Sequence, residues 1–351
     1  MNMFRLLAII LIQICVCIDA SAVSKISEAN KEFCSGSIDS FNFILNLDIA
    51  DPTNLPIYLN ALQSDKIVDQ ILERYSKVNL EGISEPEKVV VASAKARSSL
   101  RFPNDVLSIL NFKSKSNMVE GLRRALLQSL RIKSPGKTEV ENFKDVLSAL
   151  GYFDPSIFSQ MIDADVVAGS RESLAAEYVD KVEGLSDEDP YKLYLLSKLD
   201  ILRVAKDRAT SSDVSLSVFK GFESAYQKCP FNQEFVIVFA QQLIAQKKYL
   251  EAKPVLERTI STRKYVSPYV NLFLLVSATE LDDRIVFERE AKRVEDRQSW
   301  YSQEELLQIK NIKSKHAASE FSFFENLIWL VVVVVLIVFS FMIFRRKSEK
   351  Q

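Results

Sequence analysis

The stretch Leu327 to Phe344 (LIWLVVVVVLIVFSFMIF) carries no charge, no glycine and no proline. At about 1.5 Å per residue a helix of that length spans about 27 Å, close to the thickness of a bilayer's hydrocarbon core. A buried helix of a soluble protein would show some polar face, and a valine-rich helix in water would aggregate. Residues 327–344 are therefore expected to cross a membrane once. Phe323, Phe324 and Trp329 fit an aromatic belt at one interface. Arg345, Arg346 and Lys347 follow at once, which stops transfer and keeps the basic tail, residues 345–351, in the cytoplasm.

The other end reads as a secretory signal. Arg5 supplies a positive start, Leu6 to Ile18 is an apolar run, and Ala20-Ser21-Ala22 offers a small-x-small cleavage site. The run is short for a permanent anchor, which needs about 20 residues. Cys15 and Cys17 follow Ile and Val, whereas lipidation needs a small residue there. Cleavage after Ala22, leaving a signal peptide of residues 1–22, gives a single-pass topology. Residues 23–326 then lie on the periplasmic or extracellular side and the C-terminus is cytoplasmic. Function must reside in the exported part, because the tail is too short to fold.

Composition narrows what that part can be. The chain has 45 basic and 46 acidic residues; without the signal (Arg5, Asp19) and the tail (Arg345, Arg346, Lys347, Lys350, Glu349) these become 40 and 44. A net charge near −4 gives no footprint for nucleic acid. Only 8 glycines in 351 residues argue against a β-sandwich, and no G-x-G-x-x-G or Walker-type run offers a phosphate loop. The exported chain keeps two cysteines, Cys34 and Cys229. In an oxidising compartment they could pair, but an elongated body would place them at opposite ends, so separate buried thiols are expected.

Helix signals recur along the body. Ser84-Glu85-Pro86-Glu87 and Thr138-Glu139-Val140-Glu141 read as capping boxes, Asp154-Pro155 and Ser186 to Pro190 as helix openings, and Ser302-Gln303-Glu304-Glu305 as the start of a last helix. Between them apolar residues recur at three and four, and no convincing period-2 stretch survives. The expectation is all-α, with helices of about 12–20 residues. Residues 23–185 form a helical N-terminal region, either diverged repeats or a separate domain. Residues 186–298 form helical repeats and 299–326 a juxtamembrane helix.

A period of about 34 residues emerges in the C-terminal half. Gln233 to Lys264 runs helix, turn, helix, with Val236, Phe239, Ala240 and Leu243 in the first helix and Tyr249, Ala252 and Leu256 in the second. Here the chain resembles a tetratricopeptide repeat (TPR). One period upstream, Val218, Phe222, Ala225 and Pro230 match the second helix and the closing proline, with Leu202 and Ala205 in the first helix. Lys206 and Thr259 stand where the family has small residues. Tyr269 to Leu281 and Arg284 to Val294 suggest a further pair, so the resemblance covers about residues 199–294. It implies a TPR-like hairpin solenoid that binds a protein or peptide in its concave groove. Glu234, Ile237, Val238 and Gln241 would face that groove, although Ile237 and Val238 equally suit the core between repeats.

Residues for catalysis are sparse. His316 is the one histidine and cannot head a zinc site of common type, and the cysteines form no CxxC. The acidic groups Asp163/Asp165, Glu304/Glu305 and Asp187-Glu188-Asp189 are explained by helix N-termini. The expectation is a non-enzymatic, membrane-anchored scaffold without metal or cofactor, part of a bacterial envelope complex. A receptor-like or sensory subunit coupled to a membrane partner is the alternative. A eukaryotic secretory origin stays open, although no Asn-x-Ser/Thr sequon is present.

Overall fold

A computed structural model describes residues 25–99, 104–130, 137–150, 153–168, 175–207 and 212–316. The expected signal peptide, membrane span and tail lie outside these residues. Among the described residues no helix is long and apolar enough to cross a membrane, and secondary structure is helical, with no strand.

Sixteen α-helices follow one another in the described chain. α1 covers residues 25–35. Then come α2 (Leu55–Ala61), α3 (Asp65–Arg74), α4 (Glu85–Ser98), α5 (Asn104–Ile109), α6 (Asn117–Leu130), α7 (Lys137–Leu150) and α8 (Pro155–Ala168). The second half holds α9 (Val179–Glu183), α10 (Pro190–Asp207), α11 (Ser212–Lys228), α12 (Gln233–Ala245), α13 (Tyr249–Thr262), α14 (Pro268–Glu280) and α15 (Arg284–Asp296). α16 covers residues 303–316. The long helices fall near the expected length, while α2, α5 and α9 are short connectors. From α6 to α8 and from α10 to α15 each helix packs on the next, and α8 packs on α10 across α9.

Local sequence explains the helix starts. Ser84 and Glu87 form a reciprocal box at α4, with Ser84 N–H donating to Glu87 Oε2 at 2.7 Å. Asp154 caps α8 by accepting from the Ser156 and Ile157 amides at 2.9 and 3.0 Å. Ser302 and Glu305 cap α16 in the same reciprocal manner. Each cap satisfies N–H groups that have no partner inside the helix. Close approach between helices rests on a missing side chain at Gly221, where a Cβ would lie 1.9 Å from Ser197 Oγ and so block contact of α11 with α10. One apolar cluster runs from Ala29 to Phe235 across the expected boundary at residues 185/186, and a second joins α12 to α16.

The C-terminal half is periodic in space. α11, α13 and α15 end at Lys228, Thr262 and Asp296, 34 residues apart, while α12, α14 and α16 begin at 233, 268 and 303, 35 apart. The turns after α12 and α14 are the same device. Lys247 and Asp282 take φ of 60° and 53°. The next amides, of Lys248 and Asp283, reach back to the Leu243 and Ala278 carbonyls at 2.8 and 2.9 Å. These are Schellman closures, in which a left-handed residue lets the chain satisfy the last free carbonyls of a helix.

The separation of the cysteines is corrected by the structure. The chain curls back, and Cys34 and Cys229 form a disulfide with Cα atoms 4.2 Å apart, 195 positions apart in sequence. Around it, Arg263 donates to Asp65 at 2.8 Å and its guanidinium lies 5.5 Å from the Phe33 ring centre, while Lys264 pairs with Asp69 at 2.6 Å. The N-terminal segment thus covers the end of α11 and the exit of α13. An elongated body implied that residues far apart in the chain are far apart in space, and the fold-back of the chain removes that premise.

Candidate functional site

The first turn of α12 is tied to two other helices. Glu234, expected to face a groove, accepts hydrogen bonds from Ser159 Oγ on α8 and from Tyr194 O–H on α10, the latter at 3.0 Å. Lys198 of α10 donates to Ser159 Oγ at 2.7 Å and to Asp163 at 2.7 Å. Burial pushes the Glu234 carboxyl above the ordinary glutamate range, opposed by the Lys198 ammonium. Burial likewise raises the Tyr194 phenol. A serine beside a lysine is a possible nucleophile pair. Ser159 is fully buried, however, and its hydroxyl donates to Glu234, so a substrate carbonyl has no access to it. This geometry acts as a polar clamp holding α8 against α10 and α12.

The other expected groove residues are divided. Ile237 packs on the C-terminal apolar cluster and Val238 on the N-terminal one, both half-buried, and Gln241 is exposed. The structure therefore presents Gln241 and partly Val238, while Glu234 faces inward. The 35-residue offset places Phe273 and Val276 of α14 in register with Val238 and Gln241, and both are half-buried. Sequence reasoning passed over this pair, although the offset between the prolyl and glutaminyl helix starts would have found it.

A cleft of about 620 Å³ opens where α13 and α15 end. Arg263, Lys264, Arg293 and Arg297 line it, against Glu295 and Asp296. Arg263 is held by Asp65, Lys264 by Asp69 and Arg293 by Glu290 at 2.9 Å. Arg297 donates to the Val266 carbonyl at 2.7 Å and to Asn271 Oδ1 at 2.9 Å, and burial lowers its pKa. An anion entering the cleft would compete with these internal partners, so strong anion capture is not what this geometry favours.

Buried charge also concentrates at the N-terminal seam. Arg97 donates to the Gln63 carbonyl at 3.3 Å, and burial together with neighbouring Arg263 pushes its pKa down to about 10. Asp65 is the carboxylate that faces both arginines. No group of His, Cys, Asp and Glu among the described residues is arranged to hold a metal ion. Comparison with protein-family models and with curated proteins finds no match for this chain.

Proposed function

We propose that this chain is a membrane-anchored, non-catalytic scaffold whose exported helical array, of tetratricopeptide type in its C-terminal half, binds another protein outside the cytoplasm. The observation that carries the reading is the repeated hairpin: helix bounds recurring at 34 and 35 residues with the same Schellman turn at Lys247 and Asp282. Arrays of this kind act through a continuous inner face rather than a reaction centre. The half-buried apolar pair Phe273 and Val276, one repeat on from Val238 and Gln241, extends the expected surface from one helix to two. The Cys34–Cys229 disulfide supports an exported body, since such bonds persist in oxidising compartments.

The test is site-specific photocrosslinking of the full-length chain in its native membranes. A diazirine side chain at Gln241 or Val276 should crosslink to the same protein partner, while one at Ser261, at the far end of α13, should not. Identical adducts from every position, or none from the two inner positions, would remove the groove reading.

A receptor-like reading has one observation in its favour. α16 is fixed to the array by Lys315–Glu280 at 2.6 Å and by a further Lys313–Glu295 pair, and the chain from 303 to 326 contains no proline or glycine. Exchanging residues 327–344 for an unrelated apolar helix leaves a scaffold active and disables a transmembrane coupler.

A further inference from the structure

Large apolar side chains are exposed at the same repeat position in three successive hairpins. Leu216 of α11, Leu250 of α13 and Ile285 of α15 are 58%, 77% and 80% exposed. They are 34 and 35 residues apart, matching the period of the helices that carry them. Single exposed leucines are ordinary on soluble proteins, but a row in register marks a contact surface. Leu250 and Ile285 are the second residues of α13 and α15, and Leu216 is the fifth of α11, so all three fall within the first turn and a half of their helices. Because Cα–Cβ bonds tilt toward a helix N-terminus, such side chains lean out over the edge where the Schellman turns sit.

The chain leaves the array on that same edge. Lys315 pairs with Glu280, the last residue of α14, and the His316 ring stacks on Phe287 in the first turn of α15 with centroids 3.6 Å apart. Residue 316 therefore lies beside the turn that precedes Ile285. Ten residues separate it from the segment expected to span the bilayer, a reach of about 15 Å as helix and at most about 36 Å fully extended.

We propose that the turn edge of the hairpins rests on the lipid bilayer, with Leu216, Leu250 and Ile285 entering the interface. The proposal rests on the membrane-anchored reading above. Lys247 and Lys248, exposed in the turn before Leu250, add attraction to anionic headgroups. Asp282 and Glu251 are exposed on the same edge, so the apolar side chains carry the contact and charge adjusts it. An array lying on its turn edge keeps its inner face perpendicular to the membrane and open to a partner that is itself membrane-bound.

The experiment uses the full-length chain reconstituted into vesicles of phosphatidylcholine and phosphatidylglycerol, with a diazirine side chain at 216, 250 or 285 and, as control, at Ser261. Expected are lipid adducts at the three edge positions and not at 261. The double variant Leu250→Glu, Ile285→Glu, at exposed sites that leave the core intact, should lower the adduct yield at 216 at least tenfold. Integration is read separately by resistance to alkaline extraction. A chain that integrates but gives no lipid adducts, or gives adducts to a second copy of itself, overturns the docking and leaves the anchor standing. A chain that does not integrate overturns both.

Discussion

Replacing Cys34 and Cys229 together by serine opens a loop closed across 195 residues. The restriction that such a bridge places on the denatured chain grows with the logarithm of loop length, and at this length it amounts to about 5 kcal/mol. That figure is a ceiling, because the denatured chain is more compact than a random coil. Contacts on both sides of the bridge also survive its removal: Asp65 still holds Arg263 at 2.8 Å and Asp69 still holds Lys264 at 2.6 Å. A loss of about 2–4 kcal/mol is expected. Urea denaturation of the full-length protein in detergent, followed by far-ultraviolet circular dichroism, measures it. With a slope of about 3 kcal/mol/M for a chain of this size, the midpoint should fall by about 1 M. Reductant should reproduce the shift in the parent protein and do nothing to the double variant. Midpoints that coincide with and without the bridge, at unchanged slope, would refute the closed arrangement of the N-terminal segment.

Two further outcomes follow from local geometry. Glu120 accepts from Arg123 at 2.7 Å, from Arg124 at 2.8 Å and from the Ser114 amide at 3.0 Å, which holds its carboxyl down to about 2, with the Arg123 hydrogen bond as the largest cause. A folded-state pKa below the unfolded one adds stability above about pH 4.5 that disappears as pH falls toward 2. Glu120→Gln should therefore cost about 2–3 kcal/mol at pH 7, with the gap to the parent falling to about half of that at pH 3 in denaturant titrations and closing toward pH 2; an equal gap at pH 7 and pH 3 would refute the ion-pair origin. At Lys247, φ is 60°, a conformation that strains an ordinary side chain. Lys247→Gly should raise stability by about 0.5–1 kcal/mol by denaturant midpoint, whereas Lys248→Gly, at a residue without positive φ, should not.

Much of this fold was legible because helix signals are local. Ser84-x-x-Glu87, Asp154-Pro155 and Ser302-x-x-Glu305 each state a helix start within four residues, and each cap is present in the structure. The repeat register was legible from Tyr249, Ala252 and Leu256, whose spacing reflects contact within one hairpin. The Schellman turns were hidden because Lys247 and Asp282 stand where glycine would have announced a left-handed residue. The role of Glu234 was hidden for a different reason. Its partners Ser159 and Tyr194 lie 75 and 40 residues upstream, and only the packing of α8 on α10 brings them together. The cysteine pair was misread on the same ground, since it depends on the accumulated curvature of the helices between them.

The seam that closes the array combines two sorts of contact with opposite energetics. Arg97 and Arg263 are both buried beside Asp65; burial lowers the pKa of each, the Arg263 charge lowers that of Arg97 further, and Asp65 opposes the shift in both. With Arg263 bonded to Asp65 and Arg97 to the Gln63 carbonyl, any shift strands a buried charge, so the seam specifies one arrangement while desolvation offsets much of its gain in stability. The disulfide is the reverse: it is indifferent to side-chain detail and restricts the denatured chain strongly. Together the polar seam selects the register and the covalent bond makes it durable. A shape held by a disulfide persists where thiols oxidise, which agrees with the export proposed above. On the proposed single-pass topology that compartment is the exported side, where the hairpin edge would meet the membrane and the inner face a partner.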